Sequence, residues 1–380
     1  MKRLPLVNRK YALRYPRRQV VRFLFRAFIQ VMTRLLMRVE ITGQENYPKR
    51  GPLLLVANHI AVVEAALLIA YTPYNVEVIA AGDIPLDPRY GWLAYLYGMI
   101  PIKRGSMDRE GLGMALDVLE QGGVVGLFPE GGIWEASLRD ARTGVAWLSQ
   151  KSGAPIVPIG FGGLTGAITA ALKLQRPRVV MNVGKVIPAL GSEEVGQSRK
   201  RALTDGANMV MARVKDLIPP EQIEAMRPKF TDEAFDFEAK VKAPNGDDIP
   251  VPAEVDIQLK QALGKVFYRP VMLDVFARNL RLDVKPLQQI EEYHAPQKIV
   301  DATQEVLDYL ETNPFFFQYR FGAEQGEAMA EAYDQLHNLA RWVAATHPNA
   351  VMKLTPIRCY TLIATQKQIT ETVPPPVPEI

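Results

Sequence analysis

Apolar positions along the first 220 residues follow two rhythms, and the switching between them is the main structural signal in the chain. Short apolar runs at 53–57, 76–81, 99–102, 124–128, 156–161 and 179–186 read as strands. Several are apolar at nearly every position, as strands covered on both faces are. Between them, apolar residues recur at helical spacing over 62–71, 91–97, 109–121, 141–151 and 198–217. Residues 38–43 read as an edge strand, and Glu45-Asn46-Tyr47-Pro48 with Gly51-Pro52 form a turn cluster leading into 53–57. This alternation predicts an α/β domain, a mainly parallel sheet flanked by helices, that ends near Pro219-Pro220. A polar, Pro-punctuated stretch over 219–252 follows, then helical patterns at 253–280, 286–292, 296–311 and 323–346. From Thr370 the Pro-rich end reads as an extended polyproline-like tail. The expected organisation is a basic amphipathic helical region over 1–40, the α/β domain over 41–220 and a mostly helical region over 221–380.

Residues 17–38 mix Phe, Leu, Val and Ile with Arg17, Arg18, Arg22, Arg26, Arg34 and Arg38. An arginine inside a membrane span costs roughly 2.5–3.5 kcal/mol on insertion scales, so a conventional span is excluded. The interrupted apolar region, with no small-residue cleavage site after it, is not a secretory signal. A Phe- and Leu-rich helix from which arginines snorkel suits the surface of an anionic bilayer. Charge is distributed accordingly. Residues 1–60 carry 13 Lys/Arg against 2 Asp/Glu, residues 61–220 carry 16 against 15, and residues 221–380 carry 16 against 24. A basic head, a neutral middle and an acidic end present different surfaces to different partners. The single Cys359 excludes an internal disulfide framework, and His59, His294, His337 and His347 lack the spacing of a zinc site. HExxH, the P-loop and GxGxxG are absent, so no metal is expected.

Candidate chemistry begins where the 53–57 run ends in Asn58-His59, with Glu64 five positions after the imidazole. On one continuous helix these two residues would lie about 140° apart. They meet if His59 occupies the turn before a helix and Glu64 its first turn, as base and orienter. No GxSxG accompanies them, so a substrate hydroxyl would attack directly. Three further blocks end apolar runs: Gly98-Met99-Ile100-Pro101-Ile102-Lys103-Arg104, with two cations suited to an anionic group; Phe128-Pro129-Glu130-Gly131-Gly132; and Ile156-Val157-Pro158-Ile159.

In this order the four blocks resemble the glycerolipid acyltransferases, whose bacterial members acylate lysophosphatidic acid. Asn58-His59 with Glu64 is similar to that family's first motif, Gly98, Ile100, Pro101 and Arg104 to its second, Phe128 to Gly131 to its FPEG motif, and Ile156 to Ile159 to its fourth. The likeness covers roughly residues 20–220 and departs at two places. Glu64 stands where the family usually has Asp, as in the late acyltransferases of lipid A synthesis. Gly132-Ile133 replaces the usual Thr-Arg, which weakens the case for a phosphate-bearing acceptor; Lys103, Arg104, Arg139 or Arg142 could supply the charge instead.

The resemblance implies acyl transfer from acyl-CoA or acyl-carrier protein to a lysolipid hydroxyl in phospholipid biosynthesis, with no cofactor beyond the acyl donor. His59 would be the base and Glu64 its orienter. Lys103 and Arg104 would hold the acceptor's anionic head, and Glu130, Gly131 and Gly132 would shape its site. Pro158 would lie by the acyl chain, and Asn58 would cap the following helix. The partners expected are an anionic membrane surface at the cytoplasmic face, the lysolipid and the acyl donor, not a nucleic acid. Rival readings are a different lipid acceptor (a glycolipid, an ornithine-type lipid or another lysophospholipid), a non-catalytic membrane-bound lipid-binding protein, and a hydrolase that uses water.

Overall fold

The computed structural model describes residues 13, 16–61, 63–81, 96–102, 108–130, 142–191, 198–225, 230–266, 276, 280, 292–314, 316–321 and 323–372. Lys103, Arg104, Gly131, Gly132 and Arg139 lie outside them, as do nearly all of the basic arm, most of the 91–97 helix, the 286–292 helix and residues 373–380. Two compact units divide the chain, Met1–Arg227 and Pro228–Pro378.

The first unit is built on a seven-stranded sheet of order β1-β7-β6-β2-β5-β3-β4. Its strands are β1 (Arg38–Thr42), β2 (Leu53–Ala57), β3 (Val76–Ala81), β4 (Ile100–Ile102), β5 (Val124–Leu127), β6 (Ile156–Gly162) and β7 (Arg178–Val183). Every neighbouring pair is parallel except β6–β7, so β7 and β1 run against the other five. Helices cover both faces, and the pleat of β2 sorts its side chains between two cores. Leu53, Leu55 and Ala57 pack with Ile29, Leu67 and Leu68, from α1 (Pro16–Leu36) and α2 (Val63–Tyr71). Leu54 and Val56 pack with Val118, Leu148 and Val210, from α3 (Arg109–Glu120), α4 (Gly144–Ser152) and α6 (Arg199–Lys215). This is the α/β architecture the pattern predicts, with a short α5 (Ala167–Leu172) and α7 (Pro220–Ala225) added. Gly126 lets α2 lie close on the sheet, since a Cβ there would sit 2.8 Å from Leu68 Cδ2 and Val76 Cγ1.

Helix α1 departs from the expected arrangement of its arginines. Arg22 does not snorkel outward; it is 3% exposed and turns into the protein. Its guanidinium forms a two-bond pair with the buried Glu77 of β3, Nη1 to Oε1 and Nη2 to Oε2, the latter at 2.7 Å. It also lies 4.6 Å over the Tyr97 ring. Burial pulls the guanidinium below its usual range. The facing carboxylate and the very high intrinsic pKa of arginine keep it charged. The outer face of α1 presents Val20, Phe23, Leu24, Phe28, Val31 and Leu35, each more than half exposed, beside the exposed Arg34.

The second unit carries the expected helices, α8 (Ala253–Val266), α9 (Pro296–Thr312) and α11 (Ala323–Thr346), with a short α10 (Phe316–Phe321). Beside them lies a four-stranded antiparallel sheet that the pattern did not predict. Its order is β11-β10-β8-β9, from β8 (Phe230–Lys242), β9 (Asp248–Ile249), β10 (Val351–Leu362) and β11 (Gln368–Thr372). Residues 370–372 therefore belong to a strand paired with β10, not to an extended tail. His337 is buried with its Nδ1 2.9 Å from Thr303 Oγ1, and the main chain of His294 pairs with Met352; both are structural positions.

Arg22→Met strands the Glu77 carboxylate in the core and is expected to lower the unfolding free energy by about 3–5 kcal/mol in urea titration. Arg22→Met combined with Glu77→Leu removes both charges and should recover most of that loss.

Candidate active site

The candidate residues gather at the carboxyl ends of the central parallel strands, where open α/β sheets bind their ligands. β2 delivers Asn58 and His59, and β5, its direct neighbour, delivers Phe128 and Glu130. β2 stops at Ala57 and α2 starts at Val63, and between them the amides of His59, Ile60 and Ala61 are taken up by side chains. The His59 N–H donates to Glu130 Oε1 at 2.8 Å across 71 residues of sequence. The Ile60 and Ala61 N–H groups both donate to Glu64 Oε1, the latter at 2.6 Å. A first-turn glutamate reaching back to the amides that precede its helix repeats the logic of a capping box.

Glu64 is fully buried, and its second oxygen remains. Glu64 Oε2 lies 3.8 Å from His59 Nδ1, and neither buried atom has a hydrogen-bond partner. That separation is about 1 Å beyond a hydrogen bond. The imidazole stacks on Phe128, with ring centroids 4.4 Å apart and planes 22° apart. Nδ1 is thus directed at the carboxylate, which leaves Nε2 as the nitrogen for chemistry.

Asn58 corrects an expectation. It does not cap α2. It is fully buried, and its side chain closes a two-bond clamp on β6, accepting from the Phe161 N–H at 2.7 Å and donating to the Phe161 carbonyl at 3.2 Å. Both polar atoms are therefore occupied inside the protein, and the residue positions the turn. Pro158 is buried in β6 opposite Val56, with its carbonyl bonded by the Gly184 N–H at 2.9 Å. Arg142 lies next to the Phe128–Glu130 turn, its N–H bonded to the Pro129 carbonyl at 2.9 Å.

Residues 38–162 match the family profile described as Acyltransferase. That segment, about a third of the chain, is what the chain has in common with this family. A 1-acyl-sn-glycerol-3-phosphate acyltransferase of Borreliella burgdorferi is 27% identical over 126 residues, 32% of this chain and 50% of that protein. A lyso-ornithine lipid O-acyltransferase of Pseudomonas aeruginosa is 33% identical over 98 residues, 26% of this chain and 36% of that protein. The chain spans half or less of the length of these two relatives. The crystal structure of the 1-acyl-sn-glycerophosphate (LPA) acyltransferase PlsC from Thermotoga maritima aligns with a TM-score of 0.39 at 19% identity, over 54% of this chain and 85% of that one.

Within this segment the structure brings together Asn58, His59, Glu64 and Glu130, with Pro158 one strand away. Among the described residues, no group of three or more His, Cys, Asp or Glu side chains is placed to hold a metal. Two contributions went unread in the sequence. Phe128 was visible only as part of a motif, and its stacking role depends on β5 lying beside β2. Phe161 acts through its main chain, which no sequence pattern encodes.

Replacing Asn58 with Ala removes both clamp bonds and leaves the buried Phe161 amide groups bare. The expected loss is about 2 kcal/mol of unfolding free energy. Urea denaturation checks it, and a change near zero would show that the clamp is dispensable.

Proposed function

We propose that the chain is a lysolipid acyltransferase that works on a membrane surface. It moves a fatty acyl group from an acyl thioester, acyl-CoA or acyl-carrier protein, to a hydroxyl of lysophosphatidic acid or a similar lysolipid in phospholipid biosynthesis. The observation that carries this reading is the facing pair His59 Nδ1 and Glu64 Oε2, buried and unpartnered 3.8 Å apart inside the acyltransferase-family segment.

In the proposed reaction, the acceptor hydroxyl gives its proton to His59 Nε2 as its oxygen attacks the thioester carbonyl carbon. The tetrahedral intermediate then collapses, the carbon–sulfur bond breaks, and the thiolate leaves with the proton from His59. Glu64 stabilises the transient imidazolium, and closing the gap to Nδ1 by about 1 Å forms the bond that does so. Glu130 holds the main chain of His59 in place while, with Gly131 and Gly132, it shapes the acceptor site. Lys103 and Arg104 bind the acceptor's anionic head, with Arg142 close to that turn. The chemistry calls for no metal or redox cofactor.

The exposed apolar face of α1 supports a peripheral position on an anionic membrane, on its cytoplasmic side. Among the described residues no helix is long and apolar enough to cross a membrane. A second acceptor class has specific support: Gly132-Ile133 stands where the family's arginine is usual, and one relative is named a lyso-ornithine lipid O-acyltransferase. Product analysis with lysophosphatidic acid, other lysophospholipids and lyso-ornithine lipid, each with both donors, separates the two.

His59→Ala should lower kcat by on the order of a thousandfold with the fold intact. Glu64→Gln keeps an oxygen for the two amides but loses the charge, so it should fold and yet lose about a hundredfold; Glu64→Asp should keep most of the rate. Thiol release and acyl-lipid formation measure all three, and full transfer by folded His59→Ala protein would sink the mechanism.

A further inference from the structure

Among the described residues the two most exposed large apolar side chains lie close together where α5 ends and its loop to β7 begins: Leu172 and Leu174, each 75% exposed. Leu174 sits in a backbone position that leucine does not favour. The Gln175 N–H bonds the Ala170 carbonyl and the Leu174 N–H bonds the Ala171 carbonyl, both at 2.9 Å. That pair of bonds is the glycine-type helix ending, in which the residue after the cap is left-handed. Leu174 takes that place with φ 59°, and Arg176 follows with φ 49°. A Cβ there crowds the following carbonyl oxygen, so glycine is the residue the fold would select. Leucine does not relieve this crowding and leaves its side chain 75% exposed, so its presence there points to a role outside the fold.

The loop is joined to α1. Arg176 Nη2 donates to the Arg34 carbonyl at 3.1 Å, satisfying one of the last carbonyls of α1, and the Arg38 N–H bonds the Pro177 carbonyl at 2.8 Å. The exposed leucines therefore adjoin the end of the helix where Leu35 is exposed, among the exposed cations Arg34, Arg38, Lys173 and Arg176. The sheet places this junction usefully. Because β7 runs antiparallel to β6, its first residue, Arg178, lies at the edge where β6 ends, the edge that carries His59 and Glu130.

We propose that the 172–176 loop is a second lipid-contacting element, a two-leucine wedge with a basic collar, so that the chain rests on an anionic bilayer through the outer face of α1 and this loop together. The proposal rests on the reading of α1 as membrane-facing. It adds a second contact point on the active-site edge of the sheet. Apolar side chains enter the acyl boundary while lysine and arginine meet anionic headgroups, which is the chemistry of a peripheral anchor.

The test is co-sedimentation of the full chain with vesicles of phosphatidylcholine alone or mixed with phosphatidylglycerol. Wild type is compared with Leu172→Ser/Leu174→Gly and with Phe23→Asp/Phe28→Asp in α1. The loop variant should bind mixed vesicles about tenfold more weakly while its Tm holds or rises, because Gly suits the left-handed position. Loop-variant binding equal to wild type, with the α1 variant impaired, would overturn the wedge and leave the α1 reading standing. Failure of wild type to bind either vesicle would remove both readings. A lower Tm in the loop variant would assign the leucines to the fold. Loss of a dimer without loss of lipid binding, read by light scattering, would assign them to a second copy of the chain; either result overturns the inference.

Discussion

Everything at the candidate site follows from backbone amides that must be satisfied where β2 ends. A strand that stops five residues before the next helix leaves its N–H groups without ladder or helix partners, and burial makes such orphans costly. Glu130 takes the amide of residue 59, Glu64 takes those of 60 and 61, and Asn58 ties the turn to Phe161. One carboxylate oxygen and one imidazole nitrogen are left over, facing each other. The groups that hold the turn thus also leave His59 Nδ1 and Glu64 Oε2 available to each other.

The other organising contact lies toward the opposite ends of the strands. Arg22 and Glu77 form a buried ion pair beneath α1, a costly arrangement unless the geometry is good and further groups share the charge. Here the Tyr97 ring and the Tyr97 carbonyl also engage the guanidinium. The pair fixes the rotation of α1 about its axis. A helix with large apolar side chains on more than one face could settle in several ways, but the buried arginine favours one, and the stripe from Val20 to Leu35 is what then remains outside.

Most of the first unit was legible because its strands are nearly uniform apolar runs and its helices are strongly periodic. That His59 and Glu64 face each other was legible as well, since β2 and α2 are short-range elements joined by a short turn. The direction of Arg22 was not, because an arginine inside an apolar helix reads as outward-facing until Glu77, 55 residues away, is known to lie beneath it. The cap assigned to Asn58 failed for the same reason, its partner being 103 residues distant. In the second unit, Phe237, Ala239 and Val241 alternate as a strand should, but charged neighbours hid the rhythm. Pro356 is a signal against a strand at 351–362, yet it lies within β10 opposite Phe237 of β8.

The pairing of β1 with β7 has a consequence for synthesis. Among the described residues β1 is an edge strand whose single sheet neighbour is β7, and the two register Arg38 with Arg178 and Thr42 with Asn182, 140 residues apart in each case. At translation rates of about 5–20 residues per second, roughly 7–28 seconds separate the emergence of one from that of the other. For that interval the nascent chain offers an unpaired strand edge directly after a helix with a bare apolar face. The long-range closure also raises contact order, which slows folding further. What engages α1 first, a chaperone or a lipid surface, is therefore decided before the sheet that it flanks is complete.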